Sequence, residues 1–240
     1  MEWLLDPNIW LSLVTLTVLE IVLGIDNIIF ISIVAGNLPR ARQPAARKLG
    51  LLAAVISRLA LLGSIFLLTK LQAPLFSLFD VEISIRDLVL IAGGLFLLAK
   101  STLEIHKNIE GEGDVAPTVA VTSYAGVVSQ IMILDVVFSL DSVITAVGMA
   151  EQVWVMATAI ILAVGVMLLF VDPISRFVDE HPTIKMLALA FLVLIGVALI
   201  ADGINLHIPK GYIYFAMAFS VGVEMLNLRL RRKRIEYPES

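Results

Sequence analysis

The sequence contains no cysteine, which excludes disulfides, thiolate metal sites and thiol redox chemistry. Charge is scarce as well: Asp, Glu, Lys and Arg make up 16% of the 240 residues, against about 25% in soluble domains. Hydrophobic residues fill the gap at 59%, with a mean hydropathy of +0.97. One soluble core of this size cannot hide so much apolar surface, whereas a chain spending most of its length in lipid has no need to. The composition therefore describes a membrane protein and excludes soluble enzymes, disordered scaffolds and nucleic-acid binders, so no nucleic acid is expected as a partner. The first apolar run lacks a basic leader and a short core with a cleavage site, so it reads as a retained helix, not a signal peptide.

Apolar runs of spanning length fall at about 9–34, 49–69, 84–101, 124–149, 152–172, 184–203 and 211–228. They predict an all-α, polytopic fold with seven transmembrane helices in a single transmembrane domain over 1–240. Placing the N-terminus outside and the C-terminus in the cytoplasm puts thirteen of the 17 Lys and Arg residues inside, and only Lys70, Arg86 and Lys210 outside, with Arg58 within the second span. That distribution obeys the positive-inside rule. Residues 102–123, with Glu110 and the run Gly111-Glu112-Gly113-Asp114, read as an acidic cytoplasmic loop, and 229–240 as a basic cytoplasmic tail that anchors the topology. Asp172, Asp179 and Glu180 read as loop charges, and Asp202 and Lys100 as interfacial ones.

The sharpest signal is a repeated acidic motif. The first span reads Glu20-Ile21-Val22-Leu23-Gly24-Ile25-Asp26-Asn27, and the fourth reads Asp135-Val136-Val137-Phe138-Ser139-Leu140-Asp141-Ser142. At an offset of 115, acid falls on acid twice, and a small residue, Gly24 or Ser139, falls between them. Spans one and four are separated by an odd number of crossings and run in opposite directions. This predicts an inverted 3+3 repeat, about 9–101 and 124–203, with the seventh helix at 211–228 outside it. A carboxylate at a helix centre opposes insertion by about 2.5–3.5 kcal/mol, so four of them need a compensating partner.

If the two helices cross near Leu23 and Phe138, Glu20 comes level with Asp141 and Asp26 with Asp135, in two layers of paired acids. Acids six residues apart lie on different faces of an unbroken helix, so Gly24 and Ser139 are candidate points of bending or unwinding that would free carbonyls as further ligands. Arg58 is the candidate charge partner, but one cation cannot neutralise four acids, and a mobile cation fits the residual charge. The candidate metal ligands are Glu20, Asp26, Asn27, Asp135, Asp141 and Ser142, with Glu224 and Asn227 of the seventh span as candidate additional ligands or a gate. Oxygen-only ligands suit Mn²⁺, Mg²⁺ or Ca²⁺. The metal is cargo, and no cofactor is expected. His106, His181 and His207 read as surface residues, the methionines as packing residues, and Gly93, Gly94, Gly165 and Gly196 as sites of close helix contact.

Over nearly the whole chain, and most specifically in the paired motifs, in Pro209-Lys210-Gly211-Tyr212-Ile213-Tyr214-Phe215 and in Glu224, the sequence resembles the TerC family of bacterial multi-spanning membrane proteins. That resemblance implies a place among cation exporters in the bacterial inner membrane. It carries the acidic motif onto Glu20, Asp26, Asn27, Asp135, Asp141 and Ser142, and it alone supplies the outward direction of transport. The family name refers to tellurite, for which a chain without thiols offers no direct chemistry. The expected function is export of a divalent cation, Mn²⁺ first, by alternating access, with protons as the exchanged ion because clustered carboxylates bind protons in competition with metal. Two rivals remain: a non-transporting membrane sensor or partner-binding component, and an intramembrane aspartyl protease built on Asp26 and Asp141. The protease leaves Glu20, Asp135 and the motif symmetry unexplained, so no enzymatic activity is expected. Oligomeric state is not legible.

Overall fold

Asp6 opens the first helix by accepting a hydrogen bond from the Asn8 amide at 2.9 Å, with Pro7 at the first helical position, where its missing N–H costs nothing. In the computed structural model, which describes residues 6–64, 74–78, 81–110, 123–149 and 152–236, this helix is α1, Pro7–Gly36. A short turn follows, tied by Gln43, whose side-chain amide donates to the Leu38 carbonyl at 2.8 Å. The other helices are α2 (Gln43–Gly63), α3 (Ile85–Glu110), α4 (Tyr124–Met149), α5 (Val153–Glu180), α6 (Pro182–Gly203) and α7 (Lys210–Glu236). Before α3, an antiparallel hairpin pairs β1 (Pro74–Leu78) with β2 (Val81–Ser84).

Five of these helices, α1, α3, α5, α6 and α7, are long and apolar enough to cross a membrane. Over its described residues α4 qualifies only as a shorter apolar helix, Tyr124–Leu140. The predicted spans at 9–34, 124–149 and 184–203 match α1, α4 and α6 within two residues at each end. Other predicted boundaries are corrected. Residues 102–110 of the expected loop continue α3, and Asp172, Asp179 and Glu180 lie within α5. The expected tail also begins inside α7, which runs on to Glu236. Hydropathy registers where lipid contact ends, whereas backbone hydrogen bonding carries a helix on into water. The rest of the acidic loop, 111–122, and the end of the second predicted span, 65–69, lie outside the described residues.

Arg86 and Asp87, charged residues at the edge of the third predicted span, have a local explanation. The Asp87 carboxylate accepts from the Ser84 amide at 2.9 Å and from its hydroxyl at 2.7 Å, while the Asp87 amide donates back to Ser84 Oγ at 3.3 Å. These reciprocal bonds satisfy amides at the start of α3.

The chain divides into two compact units, one of Met1–Val89 with Val115–Phe177, the other of Leu90–Asp114 with Val178–Ser240. In the first, α1, α2 and α4 pack together, with α2 most extensively against α4. A core of Leu16, Leu62, Leu140, Val143, Val155, Met156, Ala159 and Ile160 draws in α5. The first unit thus joins two helices from each predicted repeat. In the second unit, α3 and α6 touch backbone to backbone: a Cβ at Gly94 would stand 2.6 Å from the Gly196 carbonyl oxygen, and one at Gly196 would stand 2.9 Å from that of Gly94. Gly165, in contrast, has no neighbour that a Cβ would meet. Because a carbonyl cannot swing aside as a side chain can, Gly94→Val is expected to destabilise the protein by about 1–3 kcal/mol, read as a lower melting midpoint in detergent. Gly165→Ala serves as the tolerated control. On α7, Tyr212, Phe215, Phe219, Leu226 and Leu230 are exposed, as suits a helix face in contact with lipid.

Candidate functional site

Glu20 and Asn27 lie seven residues apart on α1, two helical turns, and so share a face. Both are buried, as are Asp135 of α4 and Arg58 of α2. Arg58 joins the two acids. Its guanidinium forms an ion pair through Nη1 with Glu20 Oε2, and through Nε and Nη2, each at 3.0 Å, with Asp135 Oδ1. Asn27 Nδ2 donates to the same Asp135 oxygen at 3.3 Å. Ser57 Oγ lies 3.0 Å from the other oxygen, Oδ2, and 2.8 Å from the Ala54 carbonyl. Three helices thus converge on one carboxylate.

Glu20 and Arg58 are each 2% exposed and Asp135 is 4% exposed, so water cannot screen the triad. Counted as ionised, two carboxylates against one guanidinium leave one unit of negative charge in the triad. Buried charges persist only when paired and hydrogen-bonded, and the arginine fork with the Asn27 and Ser57 donors satisfies that requirement.

The predicted layers paired Asp26 with Asp135 and Glu20 with Asp141. The Asn27–Asp135 hydrogen bond places the neighbour of Asp26 level with Asp135, one residue from the first pairing. Glu20, however, shares Arg58 with Asp135, a meeting the layered register did not include. The side chains of Asp26, Asp141 and Ser142 lie outside the described residues. Among those described, no three of His, Asp and Glu gather into a metal-sized group.

The expected interruption at the small residues is not seen, because α1 and α4 run unbroken through Gly24 and Ser139. Ser139 Oγ donates to the Asp135 carbonyl one turn back, an arrangement compatible with continuous helix. Gly24 provides a notch for the Met167 side chain of α5, whose sulfur occupies the space a Cβ would take. Both small residues therefore serve close packing beside the acids.

Glu224 and Asn227 sit on α7 in the second unit, where Asn227 Nδ2 donates to Glu224 Oε2 at 3.3 Å. The exposed histidines pair locally, His106 with Glu110 at 3.1 Å and His207 with Asp202 at 3.2 Å. A second ionic cluster in the first unit joins Arg47 and Lys48 of α2 to Asp172 of α5, at 3.8 and 3.4 Å. Sequence reasoning missed Ser57. The available signal was its place beside Arg58 in the middle of an apolar run, where two adjacent polar residues need a common partner.

The sequence pattern of the Integral membrane protein TerC family matches residues 5–236. The chain is 55% identical over 232 residues to the UPF0053 inner membrane protein YgdQ of Escherichia coli K12, covering 97% of each chain. It is 58% identical to a UPF0053 protein of Haemophilus influenzae, covering 96% of this chain and 98% of that one. A third relative, the UPF0053 inner membrane protein YoaE of E. coli K12, is 49% identical over 99% of this chain, which corresponds to 46% of that protein. No solved structure matches.

Proposed function

This chain belongs to the TerC family of integral membrane proteins, and we propose that it is a transporter that exports divalent metal cations, Mn²⁺ first, from the bacterial cytoplasm. The observation that carries this reading is the buried pair of carboxylates, Glu20 and Asp135, contributed by the two helices that bear the repeated acidic motif. Their charge exceeds that of the one arginine between them, and Asp26 and Asp141 of the same motifs add two further acids. Such a site strips the hydration shell from a hard divalent cation and replaces it with carboxylate, amide and hydroxyl oxygens. Glu20, Asp26, Asn27, Asp135, Asp141 and Ser142 are the proposed ligands.

The transport cycle is alternating access by rocking of the two three-helix inverted repeats, with the seventh helix outside them, the N-terminus outside the cell and the C-terminus in the cytoplasm. Protons taken up by the acids as metal leaves are the proposed exchanged ion. Inner-membrane residence follows the names of the relatives. No catalytic role is assigned to any residue.

The test is cation uptake into inside-out proteoliposomes, comparing Mn²⁺, Mg²⁺, Ca²⁺ and Zn²⁺ with a pH probe in the lumen. Saturable Mn²⁺ entry with protons moving outward is expected. Correctly oriented, folded protein that moves none of these ions would overturn the reading. One observation favours a second reading, a non-transporting sensor or partner-binding component: Arg58 fills the space between Glu20 and Asp135, as a purely structural bridge would. Absence of flux selects it.

A further inference from the structure

We infer that Arg58 is a tethered counter-cation that occupies the metal's place between Glu20 and Asp135 in the empty carrier and is displaced when metal enters; this rests on the transporter reading above.

Arg58 contacts two of the four acids proposed as ligands, one from each motif-bearing helix, and it reaches them from α2, a helix outside both motifs. A guanidinium remains charged under all physiological conditions, so it offsets one of the pair's two charges and bridges both acids without a proton from either side. A divalent cation coordinated by the same two carboxylates would stand within a few ångströms of that positive charge, where repulsion in a poorly screened interior is strong. Occupancy is therefore exclusive: metal in, guanidinium out.

Other contacts at the site suit such an exchange. Asp135 is held independently of Arg58 by Asn27 and Ser57, so the carboxylate stays in place when the arginine withdraws. Glu20 has the Arg58 ion pair as its bond within the described site. The long arginine stem allows the head group to move without movement of α2.

A carrier must return empty to complete net transport, and the return crosses conformations in which the acids are sealed from water. With Arg58 between them, Glu20 and Asp135 cross paired, the exchanged protons being carried by Asp26 and Asp141. Without Arg58, Glu20 and Asp135 cross as bare charge, unless metal is bound. Arg58 is thus needed for the empty return and dispensable for the loaded one.

Two flux modes measured on the full chain in liposomes separate these steps. Net flux runs radiolabelled Mn²⁺ into metal-free vesicles, and exchange runs it against unlabelled Mn²⁺ on the far side. For Arg58→Gln, net flux is expected to fall about a hundredfold, the population penalty of one uncompensated charge at a helix centre. Exchange is expected to stay within about threefold of the native rate, because both crossings are then made loaded. Arg58→Lys, which keeps the charge but loses the fork, is expected to recover net flux to within about tenfold of native.

A stability readout runs in parallel. Mn²⁺ should raise the melting midpoint of Arg58→Gln more than that of the native protein, and if this variant accumulates only when Mn²⁺ is present throughout purification, the metal is replacing the guanidinium as inferred. Net flux and exchange falling together, net flux unaffected, or a variant that fails to fold with Mn²⁺ present would each overturn the inference. Native protein that carries Mn²⁺ alongside any of those results overturns this inference alone. Native protein with neither Mn²⁺ flux nor a Mn²⁺-dependent midpoint overturns the transporter reading with it.

Discussion

Arg58→Met is expected to lower the free energy of unfolding in metal-free detergent by about 3–5 kcal/mol, the loss that follows when one partner of a buried ion pair is removed and the other charge stays behind. Here two charges stay behind. Glu20 and Asp135 are 2% and 4% exposed, and Asn27 and Ser57 can compensate only Asp135, and only as neutral donors. The prediction has a second arm. Combining Arg58→Met with Glu20→Gln and Asp135→Asn removes every charge of the triad at once, and neutral groups of similar shape are commonly tolerated where a lone charge is not. The triple variant is expected to recover most of the lost stability, to within about 1 kcal/mol of native. Unfolding midpoints in mixed micelles of increasing denaturing detergent read both arms. If the single variant is as stable as native, the triad contributes no electrostatic constraint. If the triple variant is as unstable as the single one, the loss comes from arginine packing instead of unpaired charge.

How much of this was legible in the sequence depended on which physical signal carried each feature. The apolar runs located α1, α4 and α6 closely because those helices end where their apolar runs end. For α3, α5 and α7, the polar last turns, Lys107 to Glu110, Asp179 with Glu180, and Arg229 onward, lie in helices that outlast the lipid-facing stretch. The hairpin at Pro74–Ser84 left no trace, since strands of four and five residues are too short for a period-two pattern to stand out. In the site, a charged residue in an apolar run announces itself by its cost, so Glu20, Asp135 and Arg58 were all identifiable. Arg58 also stood out as a charge partner, but which of the four acids it joins did not, because pairing depends on how three helices are rotated about their own axes, which the one-dimensional pattern leaves open. The Arg58 bridge is the clearest case: the residue is conspicuous in the sequence, but the motif symmetry between α1 and α4 pointed to layers of paired acids and not to Glu20 and Asp135 sharing one guanidinium from α2.

Asp135→Asn is expected to remove Mn²⁺ flux, by about a hundredfold or more, while leaving the fold intact, and this separation of function from stability makes it the most informative single replacement. Loss of outer-shell partners alone typically costs 10–100-fold in metal affinity, so roughly that range is a lower bound for a direct ligand. Stability should survive because the replacement leaves Glu20 and Arg58 as a one-to-one pair with no net charge, and an asparagine with its oxygen at the Oδ1 position still accepts from Arg58 while its amide nitrogen donates to Ser57 Oγ, whose own proton goes to the Ala54 carbonyl. Glu20→Gln follows the same reasoning with Asp135 and Arg58 as the surviving pair. Asp26→Asn and Asp141→Asn are expected to abolish flux as well, because the proposed site draws on both acids of each motif. Ser57→Ala, which removes a group that only orients Asp135, should cost about tenfold. The pattern discriminates between chemistries. An intramembrane protease would lose substrate cleavage with Asp26→Asn or Asp141→Asn and tolerate Glu20→Gln, whereas a carboxylate cage for a divalent cation loses transport with all four. Native-level Mn²⁺ uptake by folded Asp135→Asn would remove the acid on which three helices converge from the transport site, and the exporter reading would fall with it.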